Sequence, residues 1–450
     1  MSPPRTTPLV RKSTFVALLL APLLTLGACD QPGPSSTGSP TAPALTTGAA
    51  VASASAPCSA PSTGPAIDLK RAAALAKRLL IIDGHIDAPM RLNESRNEQG
   101  KLTLDVMVRS TEGDFDYPRA KSGGLDAPFM AIYIPTTLQG KGGAKALADK
   151  LIDMVEAIAH AAPQQLALAK TVAKVRDNFA RHKLSLLLGI ENGAAIEGRL
   201  RNLSHFHARG VRYITLTHGK DNAIGDSSYD DRHTHGGLSP LGQQVVAEMN
   251  RLGIMIDVSH VTDQTFEQAV ALSQVPVIAS HSGCRHFTPG WERNASDELI
   301  ETLAQKGGVI MINFGSGFID EAIHKQHSAR WKATSAFAKK LKKTWGDPEV
   351  EQFAKQYQEK HPEQRATVDR VADHIDHVVK LVGIDHVGLG SDFDGLGDTL
   401  PTGLRDVSQY PNLIGVLLER GYSEAAIGKI CSGNLLRVWR AVELHGAKQP

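Results

Sequence analysis

Leu79-Leu80-Ile81-Ile82-Asp83-Gly84-His85-Ile86-Asp87 is the stretch on which the fold turns. Four aliphatic residues run without a polar break and then give way to aspartate, glycine and histidine. A continuous apolar run suits a parallel strand buried on both faces. In a parallel barrel the carboxyl ends of all strands open at one mouth, so metal-ligand residues placed there converge from distant parts of the chain. The same grammar recurs in Ile190-Glu191-Asn192-Gly193, Leu216-Thr217-His218, Asp257-Val258-Ser259-His260, Ala279-Ser280-His281-Ser282 and Gly390-Ser391-Asp392-Phe393-Asp394-Gly395.

Across the rest of the chain, eight apolar runs of strand length are found, that first one included: Leu79–His85, Phe129–Pro135, Ser185–Glu191, Val211–His218, Gly253–His260, Pro276–His281, Gly308–Phe314 and His386–Asp392. Helical patterns at Ala144–Ala161, Leu241–Leu252, Thr265–Leu272 and Asp297–Gln305 fall between them. Strand alternating with helix predicts an α/β chain, a (β/α)8 TIM-like barrel with loop insertions over the C-terminal mouth. Two connections are long: Asp87 to Phe129, and Gly315 to Asp385 with helical stretches at Phe337–Trp345 and Val350–Tyr357. Both follow strands and so overhang the mouth, where long structured loops shape pockets. A solvated amphipathic face is the alternative for Phe337–Trp345.

Upstream of the barrel, Arg5, Arg11 and Lys12 precede an apolar run from Phe15 to Leu26, the layout of an export signal. It ends in Leu26-Gly27-Ala28-Cys29, which resembles a bacterial lipobox. The reading is a lipoprotein signal peptide over 1–28, with Cys29 lipidated and holding the protein at the outer side of a membrane, periplasmic or cell-surface. An ordinary signal peptide cut near Ala28 is the alternative. Residues 29–65 are rich in Ser, Thr, Pro and Ala, too poor in apolar groups to offset their ordering entropy, and read as a disordered tether. The folded domain is placed at 66–447.

A net charge of +2, with basic residues spread out and aromatics at 5%, excludes an obvious nucleic-acid surface. Of four cysteines, Cys29 and Cys58 precede the domain; Cys284 and Cys431 lie within it, where an exported location permits a disulfide. There is no CxxC pair for a cysteine-based zinc site.

The strand-end residues carry the chemistry. His85 and Asp87, at i and i+2, share one side of a strand and can face one ion. Glu191, which follows Leu186-Leu187-Leu188 after Gly189-Ile190, is costly to bury without compensation; bridging two cations with its two oxygens would supply it. His260 and His281 end consecutive strands, each preceded by Ser, and neutral imidazole is a favoured zinc ligand. Asp257 lies close to His260, but its spacing does not show that it supports that ring. Asp392 can act as an acid/base carboxylate; Asp394, two residues on, is its rival. A calcium loop is excluded there because the remaining ligands are missing after Gly395. His218 is either a packing residue or a donor to an oxyanion, and Arg293 can fork onto a substrate carboxylate.

With these motifs assembled, the chain resembles the membrane (renal) dipeptidases, peptidase family M19 of the amidohydrolase-like barrels, from about Leu79 to Trp439. The resemblance implies dinuclear zinc-dependent hydrolysis of dipeptides by a metal-bridging hydroxide. His85 and Asp87 would hold one Zn2+, His260 and His281 the other, with Glu191 between them. Asp392 would be the acid/base, His218 would contact the scissile carbonyl, and Arg293 the substrate carboxylate. It also implies a homodimer. The same ligands accept Co2+ or Mn2+. One departure is the stretch Gly219–Ser227, which is not the Trp-bearing loop of the mammalian enzymes and leaves side-chain preference open. Two other readings stay open: another amidohydrolase-type hydrolysis, of a β-lactam, lactone or N-acyl amino acid, and a catalytically dead solute-binding lipoprotein.

Overall fold

The computed structural model describes residues 68–448. Cys29, Cys58, the signal segment and the tether lie outside the described residues.

Nine strands form one sheet: β1 (Ile81–Ile86), β2 (Leu125–Tyr133), β3 (Leu166–Leu168), β4 (Leu184–Glu191), β5 (Val211–Thr215), β6 (Met255–Asp257), β7 (Ile278–Ser282), β8 (Val309–Ile312) and β9 (Val387–Leu389). Every ladder is parallel, in the order β1-β2-β4-β5-β6-β7-β8-β9. The ends meet as well: Ile86 bridges Phe393, the Asp392 N–H donates to the His85 carbonyl at 3.0 Å, and the Asp87 N–H to the Phe393 carbonyl at 2.8 Å. The fold is a nearly closed TIM-like α/β barrel. Each of the eight apolar runs contributes a strand to it. The short β3 lies off this path, pairing with the first residues of β4 (Leu184–Leu186) before β4 joins β2.

Burial explains the continuous apolar runs. Every residue of β1 and of β4 is buried, because side chains of one face fill the barrel and those of the other pack under helices. Phe129, Leu187, Tyr213, Met255 and Met311 join a core cluster with Leu435, Leu436, Val438 and Trp439 of the C-terminal helix Asn434–Gly446. The interior narrows below the mouth: a Cβ on Gly390 would lie 2.0 Å from the Ser280 carbonyl oxygen, and one on Gly84 2.7 Å from the same atom. That approach brings β1, β7 and β9 close enough for their strand-end side chains to meet.

Three strands stop three residues short of their apolar runs: β5 at Thr215, β6 at Asp257 and β9 at Leu389. His260 and Asp392 adopt left-handed backbone, at φ 67° and 62°, which no ladder accommodates. Asp87 is not a strand residue either. It precedes the helix Ala88–Glu94, which Pro89 favours at its first turn, so strand alternation is not what orients it beside His85. The predicted helices Ala144–Ala161 and Asp297–Gln305 are found with those bounds. The second insertion forms helices Glu321–Leu341 and Pro348–Lys360, clamped by Phe337 stacked on Phe353 at 4.2 Å. Cys284 and Cys431 are both buried and free, so they form no disulfide.

Candidate metal centre

Glu191, the last residue of β4, stands at the middle of the mouth. Its Oε1 lies 3.0 Å from His260 Nε2, 3.4 Å from His281 Nε2 and 3.6 Å from His218 Nε2. Its Oε2 turns the other way, 3.5 Å from His85 Nε2, and that nitrogen is 3.4 Å from Asp87 Oδ2. His85, Asp87 and Asp392 form a further cluster with one ligand atom of each within 4.8 Å of the others. The structure therefore brings together His85, Asp87, Glu191, His218, His260, His281 and Asp392. The grouping is less partitioned than the motif order implies, since His281 stands with His85 and Glu191, and His218 with His260 and Glu191.

This donor set fits divalent cations on three observations. The buried Nε2 of His85, Nδ1 of His218 and Nδ1 of His260 make no hydrogen bond. His260 Nε2 and His281 Nε2 approach to 2.7 Å while both face one carboxylate oxygen. Burial, with the Arg293 guanidinium next, holds His260 well below the ordinary imidazole range, and burial with His85 lowers His281, so both rings favour their neutral, ligating form. Against this, burial and the nearby Glu191 and Asp392 carboxylates hold Asp87 well above the carboxylate range, with His85 opposing. A buried collection of carboxylates and orphaned imidazoles is the arrangement that positive charge between them would settle.

The flanking residues are fixed individually. Asp392 Oδ2 accepts from Asn313 Nδ2 at 2.8 Å, and Asn313 follows β8. Asp394 is occupied elsewhere: it pairs with Arg91 Nε at 2.9 Å and exchanges backbone-to-carboxylate hydrogen bonds with Asp114 of the first insertion. Arg293 is buried, donating from Nη1 to Ser282 Oγ at 2.9 Å and from Nη2 to the His281 carbonyl at 2.8 Å; its Nε makes no hydrogen bond. His218 meets the Tyr133 ring edge-on at 4.9 Å. From His260 an aromatic wall runs outward through Tyr229, Trp291 and His324, so the second insertion reaches the rim. Non-glycine residues in left-handed backbone gather here too, Asn192, His260, Asp392 and Asp394, the kind of strain that a folded surround must hold in place.

Several supporting residues escape the sequence reading. Tyr213 Oη lies 2.8 Å from His85 Nδ1, and Gly189 leaves room for that ring, since a Cβ there would sit 2.1 Å from it. Asp83 takes the backbone N–H groups of His85 and Ser391 and the Tyr410 hydroxyl, lacing β1 to the end of β9; burial pushes its pKa up to about 6. Tyr213 lies inside an apolar strand pattern and gives no local cue. Asn313 offered one, a polar residue directly after Val309-Ile310-Met311-Ile312.

Comparison with known proteins gives a consistent result. The profile of the family described as membrane dipeptidase (peptidase family M19) matches residues 69–450. An uncharacterized dipeptidase of Schizosaccharomyces pombe is 33% identical over 375 residues, covering 81% of each chain. Among solved structures, the probable dipeptidase PvdM from Pseudomonas aeruginosa superposes with TM-score 0.71 at 28% identity, over 84% of this chain and 98% of the other. A metallo peptidase from Rhodobacter sphaeroides, solved with a phosphinate mimic of the dipeptide L-Ala-D-Ala, has TM-score 0.64 at 25% identity, over 81% and 99%.

Proposed function

The chain belongs to the membrane dipeptidase family, peptidase family M19, and on that premise we propose that it hydrolyses dipeptides at a centre of two zinc ions. The carrying observation is the posture of Glu191, whose two oxygens face His260 and His281 on one side and His85 on the other. In this reading His85, Asp87, Glu191, His260 and His281 would hold the ions, with Glu191 as the carboxylate common to both sides. Two such ions supply an acidified water and Lewis-acid polarisation of a carbonyl.

The protein's own groups do the rest. Asp392, oriented by Asn313, takes a proton from the attacking water and returns it to the departing amine. His218 has its Nδ1 free of hydrogen bonds and approaches Glu191 from the side opposite His85; it steadies the carbonyl oxygen as charge develops. Arg293 recognises the substrate carboxylate, and Tyr133, Tyr229 and Trp291 wall the pocket against water. The phosphinate dipeptide mimic held by the Rhodobacter sphaeroides relative supports a dipeptide as the substrate class.

The test is a substrate panel with metal counting. Purified protein is assayed on dipeptides, including ones with a D-residue second, and on N-acyl amino acids, before and after chelation and zinc return. Turnover of dipeptides that chelator abolishes and zinc restores, with about two zinc ions per chain, is expected. Preference for N-acyl amino acids would replace the substrate class. Hydrolysis untouched by complete metal removal would overturn the reading.

A further inference from the structure

We infer that Asp257, acting through the hydroxyl of Ser280, determines which ring nitrogen of His281 carries the proton and so presents the Nε2 lone pair to the centre. The inference deepens the proposed role of His281 as a ligand and rests on it.

Counting hydrogens decides the tautomer. Asp257 ends β6 and is fully buried. Its Oδ1 accepts the N–H groups of Ser259 at 3.1 Å and Ser280 at 2.8 Å. Its Oδ2 accepts the hydroxyls of Ser280, at 2.6 Å, and of Thr215. All four acceptor positions of that carboxylate are thereby occupied. The Ser280 hydroxyl has one hydrogen, and Asp257 takes it. Ser280 Oγ then offers only lone pairs to Nδ1 of His281, 2.7 Å away. That contact requires a hydrogen, which the ring alone can provide. His281 is therefore protonated on Nδ1, and its Nε2 lone pair faces Glu191 Oε1 at 3.4 Å.

A second run of contacts reaches the same serine. Arg293 Nη1 donates to Ser282 Oγ at 2.9 Å, and Ser282 Oγ to Ser259 Oγ at 3.2 Å, within 3.5 Å of Ser280 Oγ. The Ser259–Ser280 contact fixes no direction by itself; with the Ser280 hydrogen on Asp257, Ser259 is the donor there, and the run is compatible with Ser280 accepting from the ring. Ligand imidazoles commonly have their second nitrogen held by a fixed acceptor. Here that acceptor is an alcohol oriented by a carboxylate. The Ser that precedes His281 is thus a positioning residue, with Asp257 behind it.

The experiment uses the whole protein labelled with 15N-histidine. Side-chain NMR of the metal-free form assigns the His281 tautomer, and competition with a chromogenic chelator measures zinc affinity, for wild type, Ser280→Ala and Ser280→Thr. Wild type should show Nδ1–H. Ser280→Ala, which leaves the strand-to-strand N–H bonds of Asp257 in place, should lose that assignment and weaken zinc retention by about 10–100-fold; Ser280→Thr should recover both. An Nε2–H tautomer in wild type, or a Ser280→Ala protein matching wild type in tautomer and affinity, would overturn the inference. Nδ1–H in a wild-type protein that retains no zinc would support the tautomer inference and sink the ligand reading instead.

Discussion

Two aspartates in Gly390-Ser391-Asp392-Phe393-Asp394-Gly395 compete for one chemical role, and their contacts separate them. Asp392 points to the cluster with His85 and Asp87 and is steadied by one hydrogen bond from Asn313. Asp394 is fully committed to Arg91 and to the Asp114 backbone. Asp392→Asn keeps the shape and the Asn313 contact but removes the basic oxygen. It should lower kcat by about 10²–10⁴-fold, the usual contribution of a positioned acid/base, with zinc content measured at the wild-type value. Wild-type kcat in that variant would remove Asp392 from the mechanism. The choice was not legible in the sequence, because two residues of spacing assign a face only inside a strand. Both aspartates have positive φ, at 62° and 66°, and lie in a turn where that rule fails.

At the level of elements, the barrel strands were readable because both faces of each are buried, leaving an unbroken apolar run. The missed strand, β3, has three residues and pairs only with the start of β4, too little to leave a pattern. The insertions were legible in place but not in attachment. Arg91, in the helix after β1, reaches Asp394 after β9 and donates to the carbonyl of Phe115 at 2.7 Å. The Arg91 guanidinium thus helps the Asp114–Asp394 hydrogen bonds fasten the first insertion to the mouth, between residues about three hundred positions apart. Arg91→Met keeps much of the stem but leaves Asp394, fully buried as a side chain, without its cation. Breaking one side of a buried pair costs about 3–5 kcal/mol, so the urea midpoint should fall accordingly. Protease cleavage within residues 95–116 should also accelerate. A variant as stable and as resistant as wild type would show that the insertion is held by other contacts.

Over the whole molecule, packing also bears on the protonation of a histidine that is not among the zinc-ligand candidates, and stability should report it. His374, in the helix Val368–Val382, accepts the Cys284 N–H at Nδ1, 3.0 Å, and donates from Nε2 to the Ile319 carbonyl, 3.0 Å. It thereby joins the connection after β7 to the one after β8, and Nδ1 can accept the Cys284 N–H only while the ring is neutral. Burial pushes its pKa from the ordinary 6.5 down to about 3. The sign follows from which state takes the proton. Below pH 6.5 the unfolded chain protonates this histidine while the folded chain refuses, so stability falls as pH drops through that window until about pH 3. The slope is at most about 1.4 kcal/mol per pH unit for one such group. Asp83 and Asp126, each raised to about 6 by burial, act with the opposite sign between the ordinary carboxylate range and pH 6, and they partly mask the effect. A difference measurement separates the two. His374→Gln keeps a neutral polar group but has nothing to titrate, and its urea midpoint at pH 7 should lie below wild type because one of the two bonds is lost. Between pH 7 and pH 5 the wild-type midpoint should then fall more steeply than that of the variant, so that the two profiles converge on acidification. Parallel profiles would mean that His374 takes up its proton as readily in the folded protein as in the unfolded chain, and that the clamp seen between Cys284 and Ile319 tolerates a charge.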